Sequence, residues 1–329
     1  MLKLDAYDKK ILEILINNSR TQVTTIAKKV KLKRENVNYK IQRMQNTGLI
    51  KEFNIIINEG KLKLTHYTAF IELINLKDDS EKQILGYLEK SKYMTWIGPA
   101  AGKWSLIFDV ILNEDAELDV VMKDLFDKFG KFIGEYSILR VHGGNFYNLK
   151  PLGISKKRTE LLKKTSPIKL DKKDLTILSA LNKNARTNLV IISEKVGLTP
   201  NGVNKRIKNL EKSGIIEGYT TSVDWKKLGY EWYTLQLKLT QFNKEANTEL
   251  TQYFENHKKI TAYARYFGGI WDYDIGLLVK NSDELRSFIN DFRTKFHHLL
   301  KISDVFLVLG ELVGYKLPQG VFENATQNI

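Results

Sequence analysis

Val196-Gly197-Leu198-Thr199-Pro200-Asn201-Gly202-Val203-Asn204-Lys205-Arg206-Ile207-Lys208-Asn209-Leu210 carries the logic of the chain in fifteen residues. Gly197 suits the left-handed position that closes a helix. Thr199 then serves as the N-cap of the next helix, and Pro200 fits its first turn. From there Val203, Ile207 and Leu210 recur at helical spacing, so one side of the second helix is apolar. Two helices joined by so short a turn make a helix-turn-helix, the motif that sets its second helix in the DNA major groove. Burying the apolar side turns Asn201, Asn204, Lys205, Arg206, Lys208 and Asn209 outward. Amides pair bidentately with adenine, and Arg or Lys with guanine or phosphate.

The same pattern stands 166 residues upstream. Leu4-Asp5, Asp8, Ile11-Leu12 and Leu15 return as Leu170-Asp171, Asp174, Ile177-Leu178 and Leu181. Arg20-Thr21, Ile26, Val30, Leu32, Val37-Asn38, Ile41 and Gly48 return as Arg186-Thr187, Ile192, Val196, Leu198, Val203-Asn204, Ile207 and Gly214. The chain therefore reads as two tandem copies of one two-part unit. Copy one carries Lys31, Lys33 and Arg34 where copy two has its glycine, cap and proline, so its turn is less well specified. Its outward face holds Arg34, Asn36, Asn38, Tyr39, Lys40, Gln42 and Arg43.

Charge follows the same division. The 329 residues carry a formal charge of +14. Residues 1–60 contribute +6, residues 167–226 contribute +5 and residues 151–166 contribute +4, while 61–150 and 227–329 come out at −1 and 0. Clustered cations beside two helix-turn-helix patterns point to a polyanionic partner, double-stranded DNA.

After each basic segment, strand and helix signals alternate. In copy two Leu235, Leu237 and Leu239 alternate with Thr234, Gln236 and Lys238, as in a half-buried antiparallel strand. A helix over 244–257, strands near 260–267 and 271–280, a helix over 283–296 and a strand over 302–312 follow. That order is βαββαβ, the ferredoxin-like arrangement, and copy one gives it between Thr65 and Val141. The expected fold class is α+β: a winged-type helix-turn-helix domain over 1–60, a βαββαβ domain over 61–150, a basic linker over 151–168, a second pair over 169–226 and 227–318, and a tail over 319–329.

A basic helix-turn-helix followed by βαββαβ resembles the Lrp/AsnC, or feast/famine, family of transcription regulators. The residues carrying the resemblance are Leu4-Asp5-x-x-Asp8-x-x-Ile11-Leu12, Asn18-x-Arg20, Val196-Gly197-Leu198-Thr199-Pro200-x-x-Val203-x-x-Arg206-Ile207-x-x-Leu210-Glu211 and Gly214-Ile215-Ile216-Glu217-Gly218-Tyr219. The resemblance implies a sequence-specific, DNA-binding transcription regulator. It also implies dimerisation through the sheet of the second domain, higher assemblies, and an amino-acid effector bound between subunits. DNA contact is expected from Arg34, Asn36, Asn38, Tyr39, Lys40 and Arg43, and from Thr199, Asn201, Asn204, Lys205, Arg206 and Lys208. Early-helix polar residues would read bases, and Lys40, Arg43, Arg206 and Lys208 would mainly hold phosphate. Members of the family often show a glycine and then an acid in the turn after the second strand. Copy two has them as Gly268, Gly269 and Asp272, the candidate effector residues, while copy one lacks the acid. Duplication implies a pseudo-dimer within one chain or a homo-oligomer through the βαββαβ sheets.

Other chemistries find little footing. With no cysteine there is no disulfide or thiolate chemistry, as suits a reducing cytoplasm. The N-terminus lacks the apolar core of a signal peptide, and no apolar run is long enough to span a membrane. Gly98-Pro99-Ala100-Ala101-Gly102-Lys103 spaces its glycines one residue short of a phosphate loop. His142-Gly143-Gly144 has no accompanying G-x-S-x-G elbow. His66, His142, His257, His297 and His298 are not at metal-ligand spacing. No catalytic residue, metal or cofactor is expected. Two alternatives remain. A siroheme decarboxylase-like tandem enzyme of the same fold would need His or Arg near the second and third strands, where only Arg265 fits. A non-specific architectural DNA-binding protein would share every basic feature.

Overall fold

Each copy begins with a self-capping helix. In the computed structural model, α1 (Ala6–Asn17) starts at Asp5, whose carboxylate accepts the Asp8 amide while the Asp8 carboxylate accepts the Asp5 amide. α2 (Val23–Val30), α3 (Arg34–Asn46) and the wing strand β1 (Ile50–Ile57) complete the first helix-turn-helix domain. β2 (Thr65–Leu73), α4 (Ser80–Glu89), β3 (Met94–Ala101), β4 (Leu106–Leu112), α5 (Ala116–Phe129) and β5 (Ile133–Phe146) follow in the βαββαβ order. Copy two repeats the plan with α6 (Lys172–Lys183), capped by the same reciprocal pair at Asp171 and Asp174, then α7 (Leu189–Val196), α8 (Pro200–Lys212) and β6 (Ile216–Val223). β7 (Glu231–Leu239), α9 (Lys244–Asn256), β8 (Ile260–Phe267), β9 (Tyr273–Val279), α10 (Ser282–Phe296) and β10 (Leu300–Val308) close the second copy. The structure describes residues 2–77, 79–147, 150–153, 170–314 and 316–324. Most of the basic linker expected over 151–168 lies outside the described residues.

The two turns of the helix-turn-helix units have the same shape from different residues. Gly197 closes α7 at φ +61°, and Lys31 closes α2 at φ +57°. Thr199 caps α8 by accepting the Gly202 amide at 3.1 Å, whereas Lys33 at the start of α3 offers no side-chain cap. Tertiary packing of Val37, Ile41 and Met44 holds the copy-one turn where local signals are weaker.

Each βαββαβ unit forms a four-stranded antiparallel sheet, ordered β3-β4-β2-β5 in copy one and β8-β9-β7-β10 in copy two. The two sheets then join edge to edge. β5 pairs with β8 from Arg140 opposite Phe267 to Phe146 opposite Ala262, and β10 pairs with β3 through Leu307–Ala101 and Val308–Ala100. Eight strands thus close into a barrel, which leaves none of these eight with a free edge. Helices cover the outside: Leu235, Leu237 and Leu239 pack with Leu250, Phe254, Phe288, Phe292 and Phe296 in one cluster. The lumen has its own cluster, built on Phe70, Trp104, Tyr266, Trp271 and Phe306.

Closure corrects the reading of β7 as half-buried. Thr234 and Gln236 alternate with the leucines as expected, but they face the lumen and are themselves buried. The tail expected from 319 also begins as structure. α11 (Gln319–Asn324) follows Leu317, whose amide and carbonyl are held by the Asn182 side chain, and its Val321 and Phe322 join the helix-turn-helix core. Among the described residues, no helix is long and apolar enough to cross a membrane.

Candidate nucleic-acid interface

The two helix-turn-helix domains are one body. β1 and β6 pair antiparallel from Ile50 opposite Val223 to Ile57 opposite Ile216. A single hydrophobic core runs through both domains, from Ile11, Leu12 and Val37 to Leu178, Val203 and Ile207. Two arginines clasp the junction reciprocally. Arg20 lies over the Tyr219 ring and donates to the Ala185 carbonyl, while Arg186 lies over the Phe53 ring and donates to the Ser19 and Thr21 carbonyls. Thr220 and Thr221 donate to the Ile16 and Leu15 carbonyls at the end of α1. This junction was not legible from either copy alone, because it forms between wings about 170 residues apart in sequence.

On α3, Arg34, Asn36, Asn38 and Tyr39 are exposed, with Tyr39 at 66%. On α8, Asn201, Lys205 and Lys208 are exposed, Thr199 is exposed at its N-cap, and Asn204 is partly covered. Three of the expected phosphate contacts have partners within the protein. Lys40 Nζ lies 2.6 Å from Asp5 and 3.1 Å from Asp8, and Arg43 Nη2 lies 2.5 Å from Asp8. At the equivalent place in copy two, Arg206 Nη1 lies 2.7 Å from Asp171 and 2.8 Å from Asp174. The capping carboxylates of the first helix thus grip the recognition helix in both copies. The Lys40 ammonium holds the Asp5 carboxyl down at about 2, so the Lys40–Asp5 pair persists well into acid.

The turn around Gly268 and Gly269 is also engaged. Asp272 Oδ1 lies 2.9 Å from Lys238 Nζ, and its Oδ2 accepts the Leu239 amide at 2.8 Å. Lys238 also donates to the Gly269 carbonyl at 3.2 Å. Gly268 sits at φ +78°, and a Cβ on Gly269 would meet Leu139 Cδ2 at 2.1 Å. The expected effector carboxylate therefore organises its own hairpin. Arg265 turns away from the lumen, donating to Asn247 on α9 and to the His142 carbonyl.

One constellation has no signature in the sequence. His66 is buried between Glu59, at 3.3 Å, and Asp109, at 3.6 Å, and Thr68 donates to Asp109 at 2.7 Å. Burial disfavours the imidazolium, but the two carboxylates outweigh it and raise His66 to about 10. Nearby, burial pushes Asp274 up to about 7; the neighbouring Gln236 amide and the Tyr266 hydroxyl, which donates to it at 3.0 Å, oppose the rise, and Asp109 adds to it. Glu59 sits in the short turn before β2, His66 on β2 and Asp109 on β4, so their spacing gives no local signal.

Comparison with known proteins agrees with the geometry. A family model described as winged helix-turn-helix DNA-binding matches residues 4–51 and 170–217. The transcriptional regulator AzlB of Bacillus subtilis is 35% identical over 127 residues, covering 38% of this chain and 79% of AzlB. The HTH-type transcriptional regulator LrpA of Pyrococcus horikoshii is 47% identical over 66 residues, covering 20% of this chain and about half (47%) of LrpA. Among solved structures, the siroheme decarboxylase NirDL covers 98% of this chain and 99% of its own at a TM-score of 0.64, with 10% identity. That likeness is one of fold.

Proposed function

The chain belongs to the Lrp/AsnC family of transcription regulators, and we propose that its two helix-turn-helix units act together as one sequence-specific DNA reader in the cytoplasm. The observation that carries this reading is the junction between the wings. With β1 paired to β6 and Arg20 and Arg186 clasped reciprocally, one chain presents two recognition helices in a fixed relation. The helices carry different residues, Arg34, Asn36, Asn38 and Tyr39 against Asn201, Asn204 and Lys205. They therefore suit a site with two unlike halves rather than a perfect palindrome.

Within this reading the exposed cations Arg34, Lys205 and Lys208 meet phosphate. Lys40 and Arg206 act through Asp5, Asp8, Asp171 and Asp174, holding each helix at its angle. Affinity for duplex DNA measured against salt tests the division. Lys208→Ala should lower the slope by about one counterion, uniformly across sequences. A slope unchanged in Lys208→Ala would remove that residue from the interface.

The full-length likeness to a siroheme decarboxylase favours a second reading, which the barrel chemistry opposes. A substrate rich in carboxylates needs cations around it. The lumen instead offers Asp109, Asp274 and Glu311, and the one cation that lines it among the described residues, His66, is already held by two carboxylates. The absence of any change in the visible spectrum on adding siroheme is the expected result, and a tight, stoichiometric complex would restore the enzyme reading.

A further inference from the structure

The barrel lumen is filled at one end and open at the other. Toward the β1–β6 sheet it widens into a cavity of about 220 Å³, larger than the roughly 150 Å³ void that admits benzene in an engineered core. Three tryptophans form its wall: Trp96 and Trp225 each pack against Trp232 with ring centroids 5.6 Å apart. Asp109 and Asp274 line it, and Glu311 stands at Trp96, accepting its indole N–H at 2.9 Å. No Lys or Arg lines it among the described residues. His66 does, but with Glu59 and Asp109 it forms a trio of one net negative charge. Asp274 is only 8% exposed, and its Oδ1 has no hydrogen-bond partner; nor has the enclosed indole nitrogen of Trp232.

The register shows how the two copies built this cavity by diverging. In copy one Thr68 lies opposite Asp109 and Phe70 opposite Ile107. At the corresponding places in copy two Thr234 lies opposite Gly276 and Gln236 opposite Asp274. Gly276 opens room where a Cβ would come within 3.1 Å of Trp232 Nε1. Carboxylates in a low-dielectric interior cost stability, and apolar pairs at these positions would pack the same barrel without that cost. The lumen is therefore shaped for something other than packing.

We propose that this cavity binds a small organic cation, a primary amine on an aromatic or branched apolar body. The ammonium would sit at Asp109 and Asp274, whose carboxyl oxygens would accept from its three donors and draw Asp274 into its ionised form, and the body would lie among the tryptophans, whose faces also attract cations. Neither carboxylate has a counterpart at the equivalent strand position of the other copy, so one chain holds one such site. Part of the cavity's lining comes from the DNA-reading half: Ile16 at the end of α1, Val223 at the end of β6 and Trp225 in the turn just after it. An occupant touches the strand that fixes the two recognition helices, and so the site regulates DNA affinity, a role that rests on the DNA-binding reading above.

Calorimetric titration of the full chain with phenethylamine, 2-phenylethanol and phenylacetate tests the site without DNA present. The amine should bind at least about tenfold more tightly than the neutral alcohol, with phenylacetate weakest. Gly276→Val, which fills the cavity, and Asp109→Asn, which removes a charge, should each weaken the amine by about tenfold or more. Equal binding of amine and alcohol, tighter binding of phenylacetate, no binding of any probe, or amine affinity untouched by both variants would overturn the assignment. A second titration, of DNA with and without saturating phenethylamine, should shift DNA affinity by about threefold or more. An unchanged DNA affinity with the amine bound would overturn the regulatory role alone, and a chain that binds amine but no DNA would count against the DNA reading instead.

Discussion

The helix-turn-helix pair and the barrel lumen arose from one duplication and treat it oppositely. In the pair, equivalent positions keep equivalent jobs. Lys40 and Arg206 both bridge a capping Asp-x-x-Asp, Arg20 and Arg186 both cross to the other domain, and Phe53 and Tyr219 both receive them. In the lumen the jobs have moved: His66 stands where copy two has Trp232, Ile107 where it has Asp274, and Asp109 where it has Gly276. A surface that presents two helices to one duplex must keep them in similar frames. An enclosed lumen faces no such demand, and its two halves can differ as long as the barrel closes.

The largest effect should come from breaking the asymmetric region. His66→Leu leaves Glu59 and Asp109 as buried carboxylates without their cation, at a cost of about 3–5 kcal/mol in urea unfolding at neutral pH. Because His66 is raised to about 10 in the folded chain, its contribution is complete below its unfolded value, about 6.5, and is lost as pH rises through about 10. The difference between the two proteins should therefore shrink in alkali. A neutral-pH cost under about 1 kcal/mol would show that the carboxylates do not depend on the imidazolium.

The symmetric region makes a matched prediction. Arg20→Ala removes a ring contact and one bond to a carbonyl, and Arg186→Ala a ring contact and two such bonds, so each should cost about 1–3 kcal/mol. The two costs should agree within about 1 kcal/mol. Unfolding of each variant by denaturant checks this, and a large inequality would mean that the junction is not balanced across its two halves.

An effect of opposite sign is expected at Asp274. Its folded pKa is raised to about 7, so between about 4 and 7 the unfolded chain gives up a proton that the folded chain keeps, and stability falls as pH rises. Asp274→Asn removes that slope. It should gain up to about 4 kcal/mol at pH 8 and little below pH 4, as read from melting temperatures across the range. A gain independent of pH would place the cause elsewhere.

What could be read from sequence was local. The capping boxes at Asp5 and Asp171, the turn at Gly197-Leu198-Thr199-Pro200 and the apolar stripes of the recognition helices all act within a few residues, and the 166-residue repeat doubled the signal. The leucines of 235–239 mark the strand, but nothing local marks its second buried face, because Thr234 and Gln236 look solvent-facing until β5 meets β8 and β3 meets β10. His66 looked ordinary for the same reason: Glu59 and Asp109 reach it only through the fold. Lys40 and Arg206 were recognised as cations on the right helix, and only the structure shows them spent on Asp5, Asp8, Asp171 and Asp174.

The central claim is that one chain reads DNA with two fixed, unlike recognition helices. Repeated selection of bound sequences from random duplex DNA tests it most directly. The account predicts an enriched site with two dissimilar halves at constant spacing, one altered by Asn36→Ala in α3 and the other by Asn201→Ala in α8. A perfect palindrome, or a single half-site sensitive to only one helix, would contradict it.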